Sequence, residues 1–184
     1  MTNVLVPLAQ GCEEIEAVTI IDLLRRAGIN VVAAGLDDQP ITASRGTRLL
    51  PDMTLDEALR EDYDMVVLPG GQPGTDNLNG DVRIHALLKK MAGSGKFTAA
   101  ICAAPKVLAS AGLLNGKLVT SFPGTLTKMG LTEQDQAVVK DGKVITSKGP
   151  GTAMDFALEL IETLIGKAKR KQVEEGLQRT PSNH

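Results

Sequence analysis

Residues 3–35, NVLVPLAQGCEEIEAVTIIDLLRRAGINVVAAG, decide the fold class. They open on a short Val- and Leu-rich run, pass through Gln10-Gly11-Cys12, and enter a segment whose apolar residues recur at helical spacing. Ile15, Val18, Ile21 and Leu24, widened by Ala17, Ile20 and Leu23, form a broad stripe along residues 13–27, and Gly28 supplies a C-terminal stop. A second β-branched run, INVVAAG, follows at once. Strand, helix and strand in that order read as a βαβ unit, with parallel strands in a sheet that the helix covers. A stripe this broad suggests burial against the sheet and against a partner too.

The rhythm continues outward. DMVVLPGG (64–71), a helical stretch at 81–93, FTAAIC (97–102), a helix over 104–112, KLVTS (117–121), AVVKDGKVITS (137–147) and a helix over 152–165 alternate along the chain. This predicts an α/β fold: a mostly parallel sheet with helices on both faces. Asp141-Gly142 between β-branched pairs predicts a small antiparallel hairpin before the last core strand. Thr152, with Asp155 three residues on, reads as an approximate capping box. We expect one α/β domain over residues 1–167. Residues 168–184 read as a polar helix anchored by Val173 and Leu177, then a loose tail.

Composition excludes several classes. A 184-residue chain with 42% hydrophobic residues and a formal charge of -2 has ample core for one domain. It has no basic stripe, no Trp and a single Tyr, so no specific nucleic-acid partner is expected. The start, MTNVLVPLAQG, lacks a signal-peptide pattern, and no apolar run approaches the roughly 20 residues of a membrane span. The expectation is a cytoplasmic protein with no membrane partner. Cys12 and Cys102 are too few for a disulfide framework, and His85 and His184 form no spaced cluster with them, so no metal site is expected.

In open α/β sheets, ligands bind where strands run out into loops at their carboxyl ends. AQGCEEIE, PGGQPG, CAAP and SKGPGT all leave strands at that edge. Cys102, with small neighbours Ala100, Ala103 and Ala104, suits a tight strand-to-helix elbow, where helix-start amides would lower the thiol pKa; a buried packing thiol fits the pattern equally well. Glu13, Glu14 and Glu16 fall in one turn. Acids there usually sit in water and complement the helix dipole, but Glu16 lies within the apolar stripe, where a desolvated carboxyl could exchange a proton with a thiol. Gly70 and Gly71 either make a tight turn or let backbone amides approach a ligand, forming an oxyanion hole with the Ala103 amide.

Taken together, EEIEAV, DLLRRAGI, SRG, VVLPGG, AAICAAP and TSKGPGTAMDFAL, in order from residue 3 to about 167, resemble the DJ-1/ThiJ/PfpI superfamily, and within it the DJ-1/YajL branch. The resemblance implies a flavodoxin-like three-layer sandwich that forms a homodimer and needs no cofactor. It implies Cys102 as nucleophile, Glu16 as the acid that hydrogen-bonds it, and backbone amides from Gly71, Ala103 and the adjoining Gly70. Arg45 would reach the site from the dimer interface, with Glu13 and Arg26 near that interface.

Two positions depart from the pattern. Phe122, in TSFPGT, stands where some relatives carry a histidine, and Ala103 follows Cys102 where peptidase-like relatives place their base. Cys12 stands where better-known relatives mostly have a small residue; it reads as a packing side chain or as a resolving thiol for oxidised Cys102. The implied function is glyoxalase or deglycase chemistry on 2-oxoaldehydes such as methylglyoxal and glyoxal, or on their early adducts. The alternative is an oxidative-stress sensor or redox-regulated chaperone in which Cys102 becomes a sulfinate. A cysteine peptidase is the weakest reading, because it lacks a histidine base.

Overall fold

The computed structural model describes residues 1–179. Its elements, in chain order, are β1 (Asn3–Leu8), α1 (Glu14–Arg26), β2 (Asn30–Gly35), β3 (Ile41–Thr42), β4 (Arg48–Leu49), β5 (Met53–Thr54), α2 (Leu55–Ala58) and β6 (Met65–Leu68). There follow α3 (Gln72–Gly80), α4 (Val82–Gly93), β7 (Phe97–Ile101), α5 (Pro105–Ser110), β8 (Val138–Asp141), β9 (Val144–Ser147), α6 (Ala153–Ile165) and α7 (Lys167–Gly176).

Seven strands form one sheet in the order β5-β2-β1-β6-β7-β9-β8, parallel except for β8, which returns antiparallel on β9 through the Asp141-Gly142 turn. Along β1, Val4, Val6 and Leu8 point to one face and Leu5 to the other, as the two-residue period of a strand requires. The first face packs against Ile20, Leu23 and Leu24 of α1 and Phe156, Leu160 and Ile161 of α6. The second packs against Ile84 and Leu88 of α4 and Val107 and Leu108 of α5. The expected three-layer α/β sandwich is therefore present. Pro7 sits in a central strand without breaking it: pairing with β6 covers only Val4 and Leu5, so the residue lacking an N–H lies past the end of that ladder.

Two local readings need correction. KLVTS is not a strand; both edges of β9 are already taken, by β7 and β8. The segment instead runs as loop, holding on through a bridge from Val119 to Glu133 and a Thr120 N–H to the Thr146 hydroxyl. Thr152 caps no helix with its side chain, because its hydroxyl is engaged with Ser147 and Gly149 in the 3-10 turn ahead of α6. After PGG the chain runs on as α3, with Gly71 as its N-cap, a helix not expected from the sequence. At the C-terminus, α7 docks through buried Val173, with Leu177 packed against the same core. The expected loose tail falls largely outside the described residues. Among those residues, no helix is long and apolar enough to cross a membrane.

Candidate active site

The site is assembled at the carboxyl ends of β1, β6, β7 and β9. The β7 strand ends at Ile101, and the next residue, Cys102, has φ 64, a left-handed conformation that a side-chain-bearing residue adopts only under constraint. The constraint is visible on both sides. The Cys102 N–H donates to the Ser147 carbonyl at 3.0 Å, and its carbonyl accepts from the Phe122 N–H at 2.8 Å. The predicted elbow is present, and it aims the amides of Gly71 and Ala103 at the thiol.

Glu16 is fully buried one turn into α1. The solvated-face alternative fails, because the helix turns this position toward the PGG loop. One carboxyl oxygen, Oε2, accepts the Gly70 N–H at 2.7 Å; the other, Oε1, is buried and makes no well-formed hydrogen bond. Burial pushes Glu16 up to about 7, against the pull of the Gly70 amide and the neighbouring Cys102 thiol. Gly70 thus differs from expectation: its amide is committed to Glu16 and does not face the cavity as a free donor. The close approach needs glycine, since a Cβ at Gly70 would lie 2.7 Å from both Cys102 Cβ and Glu16 Oε2.

The expected lowering of the Cys102 pKa is reversed. Burial first, then the charge and hydrogen bonding of ionised Glu16, push the thiol up to about 12, although the Gly71 and Ala103 amides pull it down. The helix dipole contributes little because α5 begins only at Pro105, three residues beyond the thiol. Proton position is therefore a property of the pair: a thiol beside a carboxylate, with Glu16 able to take the proton.

A cavity of about 350 Å³ opens over Cys102. The β1–α1 loop contributes Glu13, the turn after β3 contributes Ser44 and Arg45, and the start of α3 contributes Gly71 to Pro73. Phe122 and Pro150 add apolar wall. Glu13 also caps α1, accepting the Glu16 N–H at 2.9 Å, so the wall and the buried carboxyl share one helix start. Arg45 lines the cavity of its own chain. Arg26 does not join the site: it pairs with Asp22, and ten residues of helix at 1.5 Å each put it roughly 15 Å from Glu16.

Cys12 is buried in the core and is absent from the cavity wall; burial, then the charges of Glu14 and Glu13, push its pKa up to about 12. That environment favours packing over a resolving role. His85 lies on α4, its ring against the Asn79 carbonyl at 2.8 Å, and does not line the cavity; His184 falls outside the described residues. Sequence reasoning missed Glu14. Its carboxylate takes the Ser44 hydroxyl and the Arg45 and Thr47 amides, and these contacts hold it down at about 2 against the opposing effect of desolvation. The tight Ser-Arg-Gly turn, with its outward amides, was the one available signal.

The architecture finds close counterparts. A model of the DJ-1/PfpI family matches residues 2–163. Protein dj-1beta of Drosophila melanogaster is 44% identical over 179 residues, spanning 95% of this chain and 96% of the fly protein. A Caenorhabditis elegans protein named Glutathione-independent glyoxalase DJR-1.2 is 38% identical over 162 residues, 87% of each chain. The crystal structure of Drosophila melanogaster DJ-1beta superposes with a TM-score of 0.93 at 42% identity, covering 97% of this chain and 98% of the other. Because the match spans every strand and loop that frames the Cys102 cavity, the chain belongs to the DJ-1/PfpI family.

Proposed function

We propose that the protein is a metal- and cofactor-independent glyoxalase or deglycase that acts through Cys102 on 2-oxoaldehydes such as methylglyoxal and glyoxal, or on their early adducts. The observation that carries the reading is the pairing of an elbow-borne thiol with a buried carboxyl whose pKa is raised to about 7, where a general base works best at neutral pH. A relative that bears the name glutathione-independent glyoxalase supports the choice of substrate class.

In this mechanism Cys102 Sγ bonds to the aldehyde carbon as the Glu16 carboxylate takes the thiol proton. The Gly71 and Ala103 amides, which already face the sulfur, receive the developing charge on the carbonyl oxygen. Glu16 returns the proton to that oxygen, giving a hemithioacetal. Transfer of the aldehyde-carbon hydrogen, as a proton, to the adjacent ketone carbon, with the hemithioacetal hydroxyl proton passing to the ketone oxygen, then leaves a thioester of a 2-hydroxy acid. Water breaks the C–S bond, releasing the acid and restoring the thiol. The sum is 2-oxoaldehyde plus water to 2-hydroxy acid, with no external oxidant or reductant.

Methylglyoxal turnover by purified wild type, Cys102→Ala and Glu16→Gln tests the reading. We expect no turnover by Cys102→Ala, a kcat about 10²- to 10⁴-fold lower for Glu16→Gln, and a wild-type rate that rises with pH as Glu16 ionises through about 7. Wild type no faster than Cys102→Ala would overturn it. A second reading, oxidation of Cys102 to sulfinate, draws support from Glu16 Oε1, a buried oxygen with no formed hydrogen bond beside the thiol. Either activity is compatible with a homodimer formed through α1, which leaves Ile15 56% and Val18 47% exposed on its surface.

A further inference from the structure

One partly buried network outside the mechanism reaches the wall of the site. The Glu133 carboxylate gathers four donors from a single loop: Oε1 takes the Ser121 hydroxyl at 2.9 Å, the Leu126 N–H at 2.6 Å and the Thr127 N–H at 3.0 Å, and Oε2 takes the Gly124 N–H at 2.9 Å. Glu133 is itself anchored, since its residue bridges Val119 and the following Gln134 N–H donates to the Val119 carbonyl at 2.8 Å. The loop so gathered carries Phe122, the aromatic wall of the Cys102 cavity, whose N–H also holds the Cys102 carbonyl. The loop forms no strand, and only a single three-residue 3-10 turn, so the carboxylate replaces the regular hydrogen bonding that its amides lack.

We propose that Glu133 is a positioning residue of the Cys102 site: by clamping residues 121–127 it fixes the Phe122 ring as the apolar wall that selects organic partners of the thiol. Glu133 touches no substrate and is absent from the cavity wall. The inference rests on Cys102 being the reactive group of the proposed function, and is independent of which carbonyl that group attacks. A wall of this kind favours partners with an apolar or aryl substituent next to the reacting carbon.

The test needs no turnover. Cys102 in the full-length protein is alkylated with iodoacetamide and with its N-phenyl analogue, each rate normalised to that of free glutathione and the modified residue identified by mass spectrometry. We expect wild type to prefer the phenyl reagent by about fivefold, the ratio that an aromatic contact of about 1 kcal/mol gives. Phe122→Ala should abolish the preference. Glu133→Gln keeps the size of the side chain but turns an amide group toward N–H donors, and it should abolish the preference as well. The double variant should lose nothing more, since both substitutions act through one ring. Ser121→Ala removes one donor of four and leaves the carboxylate in place, so it should reduce the preference partially; it decides the matter if Glu133→Gln does not fold. Retained preference in Glu133→Gln, effects that add in the double variant, or an unchanged ratio in Ser121→Ala where that variant must decide would each overturn the proposal. Absence of Cys102 alkylation by either reagent would instead overturn the reading of Cys102 as reactive.

Discussion

At the scale of single residues, the site depends on how closely three groups approach. Gly70, Glu16 and Cys102 form a cluster in which one added methyl has no room, since both neighbours of that Cβ would lie at 2.7 Å and one of them is the carboxyl itself. Gly70→Ala should therefore push the Glu16 carboxyl off its amide and away from the thiol. We expect a loss of about 1–3 kcal/mol in stability, the usual cost of overpacking, and at least a tenfold fall in kcat, read by chemical denaturation alongside methylglyoxal turnover. The sequence disclosed which residues to watch here, because Cys102 and Glu16 stand at strand and helix starts on one sheet edge. It did not disclose their protonation. A glutamate in a row of acids reads as solvated, and only the tertiary closure of the PGG loop over α1 takes water away from this one.

Among elements, α1 serves core, site and surface at once. Its inner face supplies Ile20, Leu23 and Leu24 to the core, its first turn supplies Glu16 to the site, and its outer face leaves Ile15 and Val18 in solvent. These two are the residues that the proposed dimer would cover. Sedimentation at micromolar concentration should show a dimer for wild type and a shift toward monomer for Val18→Glu, which places a charge in the middle of the apolar patch; a wild-type monomer would contradict the assignment. The longer strands and helices were legible because their periodicity is strong; the two-residue strands β3, β4 and β5 are too short to show any. The α3 helix was not legible, because Pro73, Gly74, Asn77, Asn79 and Gly80 are weak helix formers, and its conformation is settled by packing of Thr75 and Leu78. KLVTS failed for the opposite reason: its propensity suits a strand, but the sheet had no vacant edge beside β9.

For the whole molecule, the buried acid couples folding to pH. Glu16 titrates near 4.5 in an unfolded chain and near 7 in the folded one. Its pKa is raised on folding, so the contribution to stability is fully present below about 4.5 and is lost as pH rises through about 7. The span corresponds to at most about 3 kcal/mol at 1.36 kcal/mol per unit. Urea denaturation at pH 5 and pH 8 should show wild type losing up to that much more than Glu16→Gln, whose neutral amide has no such titration; equal losses would mean that the carboxyl is ionised without penalty. The layered architecture itself was legible from one βαβ unit, since alternating strands and helices admit few arrangements that bury both faces of a sheet.

The left-handed backbone at Cys102 has a bearing on experimental controls. A substitution there changes two things at once, the chemistry of the side chain and the conformational preference of the chain at φ 64. Alanine keeps the Cβ and with it the torsional cost, so it deletes the sulfur alone. Glycine removes that cost as well and would give an inactive protein whose backbone is relieved in a way the wild type never is. Only the alanine variant is a faithful blank for this thiol.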